Sequence, residues 1–142
     1  MKKNHIQNYA EFFENITEET PIKEYEKIFH RNARFKDPFN DVKGLEKIYD
    51  IFQEMYIKLD NPSFKVNEIV EQNNTAYIKW IFEFNFKNDK KQNSFEGVSR
   101  VEFDDKSLAI SHIDYWDSAE NLYEKIPILS FFIKLIKRKI QN

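Results

Sequence analysis

Apolar positions in the first sixty residues recur in steps of three and four. Ile6, Tyr9, Phe12, Phe13 and Ile16 share one side of a helix predicted over residues 5–16. In "TEETPIKEYEKIFH", Thr20 is the expected N-cap and Pro21 the first helical residue, with Ile22, Tyr25, Ile28 and Phe29 as the apolar stripe. "ARFKDP" predicts a short strand, ended at Pro38 because proline has no amide hydrogen to extend a ladder. After Gly44, "LEKIYDIFQEMYIKL" places Leu45, Ile48, Phe52, Met55 and Leu59 on one face of a third helix, which Asn61-Pro62 should break.

Beyond Pro62 the period falls to two. "FKVNEIVEQ", "TAYIKWIFEFNF", "NSFEGVSRVEF" and "LAISHIDYWD" read as four strands, parted by "NN", "NDKKQN" and "DDKS" turns. Ala76, Ile78, Trp80, Phe82, Phe84 and Phe86 share one face of the second. Phe95, Gly97, Ser99, Val101 and Phe103 share one face of the third. Helices followed by an antiparallel meander is an α+β pattern. The natural packing wraps a curved, mostly antiparallel sheet around the third helix and leaves a conical cavity between them.

Composition sharpens this picture. The chain has 142 residues, enough for one domain with a substantial core. Its 14 Phe and 7 Tyr imply a bulky core or a ring-lined cavity. The two glycines, Gly44 and Gly97, exclude Gly-rich phosphate loops. A formal charge of −2 argues against nucleic acid as partner. With no cysteine, thiol nucleophiles, disulfides and thiolate metal sites are excluded together. "MKKNHIQNYAEFF" has no continuous apolar run or small-residue cleavage site, so the expected location is cytoplasmic.

Two stretches carry candidate chemistry. In "ARFKDPFNDVKG", Asp37 stands between Phe35 and a Pro-Phe pair. It is either a general base held in an apolar pocket or a turn residue bonded to nearby amides. In "SHIDYWD", His112, Asp114 and Trp116 alternate onto one face. His112 and Asp114 read either as a second acid/base centre or as a hydrogen-bonded pair that fixes the strand. One His and two Asp at this loose spacing do not make a metal site, and no cofactor is expected. Arg34 is expected in solvent, and Arg100, flanked by Glu96 and Glu102 on one strand face, as a cross-strand ion-pair partner.

The order ααβαββββ, with "NARFKDPFNDVKGLEKIYDIF" early and "SHIDYWDSAENL" late, resembles the nuclear transport factor 2-like superfamily. Within it the closer likeness is to SnoaL-like bacterial proteins, and more distantly to ketosteroid isomerase. The resemblance covers about residues 5–124. It implies a cone-shaped, cystatin-like α+β barrel with three N-terminal helices, a deep apolar pocket and a homodimer formed through the sheet. It also implies a general base at Asp37, because "IFHRNARFKDP" matches that family's Asp-Pro pattern. The tyrosine and protonated aspartate of the ketosteroid isomerase pattern fall here on Phe13 and Ser99, and Tyr9 lies one turn before Phe13. Tyr9, Phe13, Phe35, Phe52, Ser99 and Trp116 are the implied ligand contacts. The expected function is binding of a small apolar molecule, with isomerase, cyclase or dehydratase chemistry based on Asp37, His112 and Asp114. The alternative is a noncatalytic carrier of a lipid-like ligand or an accessory protein.

Residues 125–142 form a separate basic, amphipathic helix by their pattern, after a SnoaL-like domain of residues 1–124. About fifteen helical residues span roughly 22 Å, short of a bilayer core of about 30 Å. Capping of the cavity mouth, dimer contact, or peripheral membrane contact through residues 126–140 would each suit such a helix.

Overall fold

The computed structural model describes residues 4–117. Helix α1 (His5–Asn15) starts where the Asn4 side chain accepts a 2.8 Å hydrogen bond from the Gln7 amide. It buries Ile6, Tyr9 and Ala10. Helix α2 (Ile22–Tyr25) is one turn long, shorter than its apolar stripe predicts. Pro21, not Thr20, occupies its N-cap, and the Thr20 hydroxyl instead accepts from the Thr17 amide at 3.0 Å. Four residues give a helix little cooperativity. Phe29, expected on that helix, instead begins β1 (Phe29–Lys36), where it is 1% exposed.

A short strand, β2 (Asp41–Lys43), turns back on β1 around Asp37–Asn40. Its three residues are too few to show alternation in the sequence. Gly44 then adopts φ 111°, a region that L side chains avoid, and its amide donates to the Ala33 carbonyl at 2.8 Å. That turn starts α3 (Leu45–Lys58), which buries Leu45, Ile48 and Phe52. The Asn61-Pro62 pair does not end the helix. Strand β3 (Leu59–Gln72) begins earlier and carries the pair through a register shift between Asp60 and Ser63, with Asn61 at φ 52°. Proline at a strand irregularity forfeits no ladder bond.

Strands β4 (Thr75–Phe86), β5 (Gln92–Phe103) and β6 (Ala109–Tyr115) complete a six-stranded sheet of order β2-β1-β6-β5-β4-β3. All pairings are antiparallel except β1 with β6. Asn73, Asn88 and Ser107 supply the positive φ of the three connecting turns. Among the described residues the sheet curves but does not close, with β2 and β3 at its edges, so the expected barrel is a partial wrap. Alternation in β4 and β5 follows the sequence pattern, with Ala76, Ile78, Trp80, Phe82 and Phe84 buried opposite the half-exposed Tyr77. Helices α1 and α3 lie across the buried face. The proposed helix of residues 125–142 lies outside the described residues.

Arg34 is exposed, as expected, and Arg100 finds its ion-pair partner on its own strand. Arg34 forms a two-pronged bond with Asp41 across the β1–β2 hairpin, at 3.0 and 2.9 Å. Arg100 pairs with Glu102 on its own strand and donates to the Tyr77 hydroxyl, while Glu96 faces Lys79 at 3.9 Å.

Candidate active site

Between the helices and the sheet lies a cavity of about 220 Å³. An engineered apolar cavity of about 150 Å³ takes up benzene, so this one admits a ring-sized molecule. Its walls are largely aromatic. Phe13 and Phe52 come from the helices, Phe35 from β1, Phe64 from β3, Phe82 and Phe84 from β4, and Phe95 from β5. All nine residues singled out from the sequence border it: Tyr9, Phe13, Phe35, Asp37, Phe52, Ser99, His112, Asp114 and Trp116.

One wall carries a chain of five hydrogen-bonded side chains. Trp80 Nε1 donates to Ser99 Oγ at 2.8 Å, and Ser99 Oγ donates to Asp114 Oδ1 at 2.5 Å. His112 Nε2 meets the same carboxylate oxygen at 2.7 Å, and His112 Nδ1 lies 2.6 Å from the Tyr9 hydroxyl. The β5–β6 register makes this possible by setting Ser99 opposite Asp114. Phe35 stacks on the His112 ring, centroids 4.7 Å apart and planes 16° from parallel, which holds the imidazole between aromatic surfaces.

The direction of each bond follows from chemistry. Indole N–H can only donate, so Ser99 accepts from Trp80 and spends its own hydrogen on Asp114. An ionised Asp114 can only accept, so His112 Nε2 carries the hydrogen that reaches it. In neutral His112 the Nδ1 atom is then bare and accepts from Tyr9. Tyr9 is 1% exposed; burial, and then the charge on Asp114, push its phenol well above the usual range. Tyr9 therefore stays a phenol, and Asp114 fixes the histidine tautomer.

Gly97 explains how an indole enters this wall. It sits opposite Trp80 in the β4–β5 ladder, and a Cβ there would come within 2.4 Å of the Trp80 ring. The missing side chain is the space the indole fills.

Asp37 reaches the cavity from the β1–β2 turn. Its Oδ1 accepts from the amides of Phe39 (2.8 Å) and Asn40 (2.7 Å), and Asn40 Nδ2 lies 3.1 Å from both carboxylate oxygens. Asp37 thus borders the cavity while its carboxylate is bonded into the turn. Burial pushes its carboxyl above the usual range; the Asn40 and Phe39 hydrogen bonds oppose this and the charge on Asp114 adds to it.

The sequence reading missed Trp80 and Asn40. Trp80 was legible only as an apolar-face residue, although its facing Gly97 in a paired strand was a usable signal. Asn40 offered none beyond its nearness to Asp37. Among the described residues no group of three or more His, Asp or Glu is arranged to hold a metal ion.

The family model for the SnoaL-like domain matches residues 9–110. A search of curated proteins finds no match. Solved structures do match. A Catenulispora acidiphila protein with a ketosteroid isomerase-like fold, in complex with trimethylamine, superposes with TM-score 0.71 at 11% identity, over 87% of this chain and 92% of that one. An NTF2-like protein from Burkholderia pseudomallei gives TM-score 0.71 at 12% identity, covering 84% and 92%. A Jannaschia protein called a SnoaL-like polyketide cyclase gives 0.66 at 7%, covering 78% and 83%. At such identities the structural likeness is one of fold.

Proposed function

The chain belongs to the SnoaL-like domain family, and from that premise we propose a cofactor-independent proton-transfer enzyme, of isomerase, cyclase or dehydratase type, acting on a small and largely apolar molecule. One observation carries this reading: Asp37 and the Tyr9–His112–Asp114 chain border the same aromatic cavity. Asp37 is the general base. A carboxylate whose affinity for protons is raised by burial accepts a substrate proton more readily than one in water. The neighbouring strand β6, paired with β1 next to Asp37, returns a proton. When His112 is protonated both ring nitrogens donate, so Nδ1–H turns to the Tyr9 oxygen and the Tyr9 hydrogen is released toward the cavity. The wall thus stores a proton one residue behind the group that delivers it. The polyketide cyclase name of the Jannaschia neighbour is in keeping with such chemistry.

The test is exchange in deuterated water. Small cyclic ketones and aromatic polyketide fragments are incubated with the full chain, and deuterium uptake is read by mass spectrometry. Uptake by the wild type that Asp37→Asn abolishes supports the enzyme. Tight, stoichiometric binding without exchange supports the second reading, a noncatalytic carrier, which the tying of Asp37 into its own turn favours. A homodimer through the sheet and membrane contact through residues 126–140 are further proposals. Sedimentation tests the first, and vesicle pelleting of full-length against 1–124 protein tests the second.

A further inference from the structure

The polar atoms of the cavity can be counted as donors and acceptors, and the count is one-sided. With His112 neutral, Trp80, Ser99, His112 and Tyr9 each spend their hydrogen on the next member of the chain. Asn40 Nδ2 is committed to the two oxygens of Asp37. Lone pairs are what remain. Asp114 Oδ2 has no hydrogen-bond partner among the described residues, and Asp37 Oδ2 has only the 3.1 Å contact with Asn40. The Tyr9 oxygen keeps its own.

Charge follows the same direction. Among the described residues neither Asp37 nor Asp114 pairs with a lysine or arginine; their partners are amides, a serine and a histidine. Lys58, the one lysine bordering the cavity among the described residues, ends α3 and faces Glu54 at 3.8 Å. Both carboxylates are partly buried, and neither has a lysine or arginine paired with it among the described residues. Around them stand ring faces: Trp116 stacks on Phe95 at 4.5 Å and meets Phe39 edge-on at 5.6 Å. Electron-rich ring faces and carboxylates both attract positive charge.

From this we infer that the ligand of the cavity is an organic cation: a protonated amine or quaternary ammonium on a compact apolar body. The inference rests on the reading of this cavity as the ligand site, and applies to enzyme and carrier alike. An anionic ligand would meet two carboxylates, and the one lysine bordering the cavity among the described residues already faces Glu54. A neutral apolar guest would fill the volume and leave the lone pairs unused.

Three ligands of nearly equal shape test it: benzylammonium, benzyl alcohol and phenylacetate. Each is titrated into the full chain at neutral pH and followed by calorimetry and by the indole NMR signals of Trp80 and Trp116. Benzylammonium is expected to bind at least about tenfold more tightly than benzyl alcohol, with phenylacetate weakest. Asp37→Asn and Asp114→Asn should each remove most of that preference while leaving benzyl alcohol affinity within about threefold. If benzyl alcohol or phenylacetate binds as well as benzylammonium, the cation inference is overturned and the cavity reading survives. If none of the three binds or moves the indole signals, the cavity reading itself falls, and the inference with it. The ranking in the wild type decides the matter even where a variant fails to fold.

Discussion

The β1–β2 turn and strand β6 bring a carboxylate to the same cavity by opposite means. Asp37 is held inside a four-residue loop, by amides two and three positions along the chain. Asp114 is held by Ser99, fifteen positions away, and by His112, which reaches on to Tyr9 across 103 positions. The first arrangement is a property of a peptide segment. The second exists only when α1, β4, β5 and β6 are all assembled. A substitution at the turn should therefore act alone, whereas one in the wall should be felt at every member.

The sharpest way to break this contrast is Gly97→Ala. The new methyl meets the Trp80 ring, so the indole must move and the Ser99 bond is lost with it. A destabilisation of about 3 kcal/mol is expected in chemical denaturation, near the upper end of ordinary overpacking. A loss under about 0.5 kcal/mol would mean that the wall does not depend on that indole.

Next in size is Tyr9→Phe, which leaves His112 Nδ1 buried without a donor and should cost about 1–2 kcal/mol. Combined with Trp80→Phe at the far end, it should show a coupling of at least about 0.5 kcal/mol in a double-mutant cycle. Strict additivity would dissolve the chain into separate pairs.

Asp37→Asn should be milder, within about 1 kcal/mol of wild type at neutral pH, since an amide oxygen still accepts from Phe39 and Asn40. Its pH dependence carries the information. Asp37 has a raised pKa in the folded protein, so the native state holds its proton to higher pH than the unfolded chain does. Wild-type stability then falls as pH rises from the unfolded value through the folded one, and the variant escapes this loss. Denaturation midpoints should accordingly shift in favour of Asp37→Asn as pH rises above the usual carboxylate range. A shift the other way would show that the turn amides outweigh burial.

The smallest effect is expected at the outer end of the same hairpin. Arg34→Ala removes a bond to Asp41 between side chains about half exposed, and should cost no more than about 0.5 kcal/mol.

Much of this was legible in the sequence because it is written in short periods. The face of β4 that carries Trp80 and Phe82 is set by alternation alone, and so is the pairing of His112 with Asp114 on one side of β6. The failures lie where tertiary demand overrode a local pattern. Phe29 suited a helix stripe, but the core claimed it for β1. Leu59 continued the α3 repeat, yet it starts a strand because β4 offers it Phe86 as a partner. The link between Tyr9 and His112 was invisible for a different reason: no periodicity connects residues a hundred positions apart. Only the mutual placement of α1 and β6 makes them neighbours.

The parallel pairing of β1 with β6 has a consequence for how the chain is made. The last strand of the sheet is inserted between the first and the fifth, so β1 waits about seventy-five residues of synthesis for its neighbour. Until residues 109–115 emerge from the ribosome, the inner edge of β1 stays unpaired and Tyr9 has no histidine to meet. Nascent chains halted before that point should be sticky and protease-sensitive. The final strand, once released, lays down two of the sheet's five seams and the cavity's polar wall in a single event.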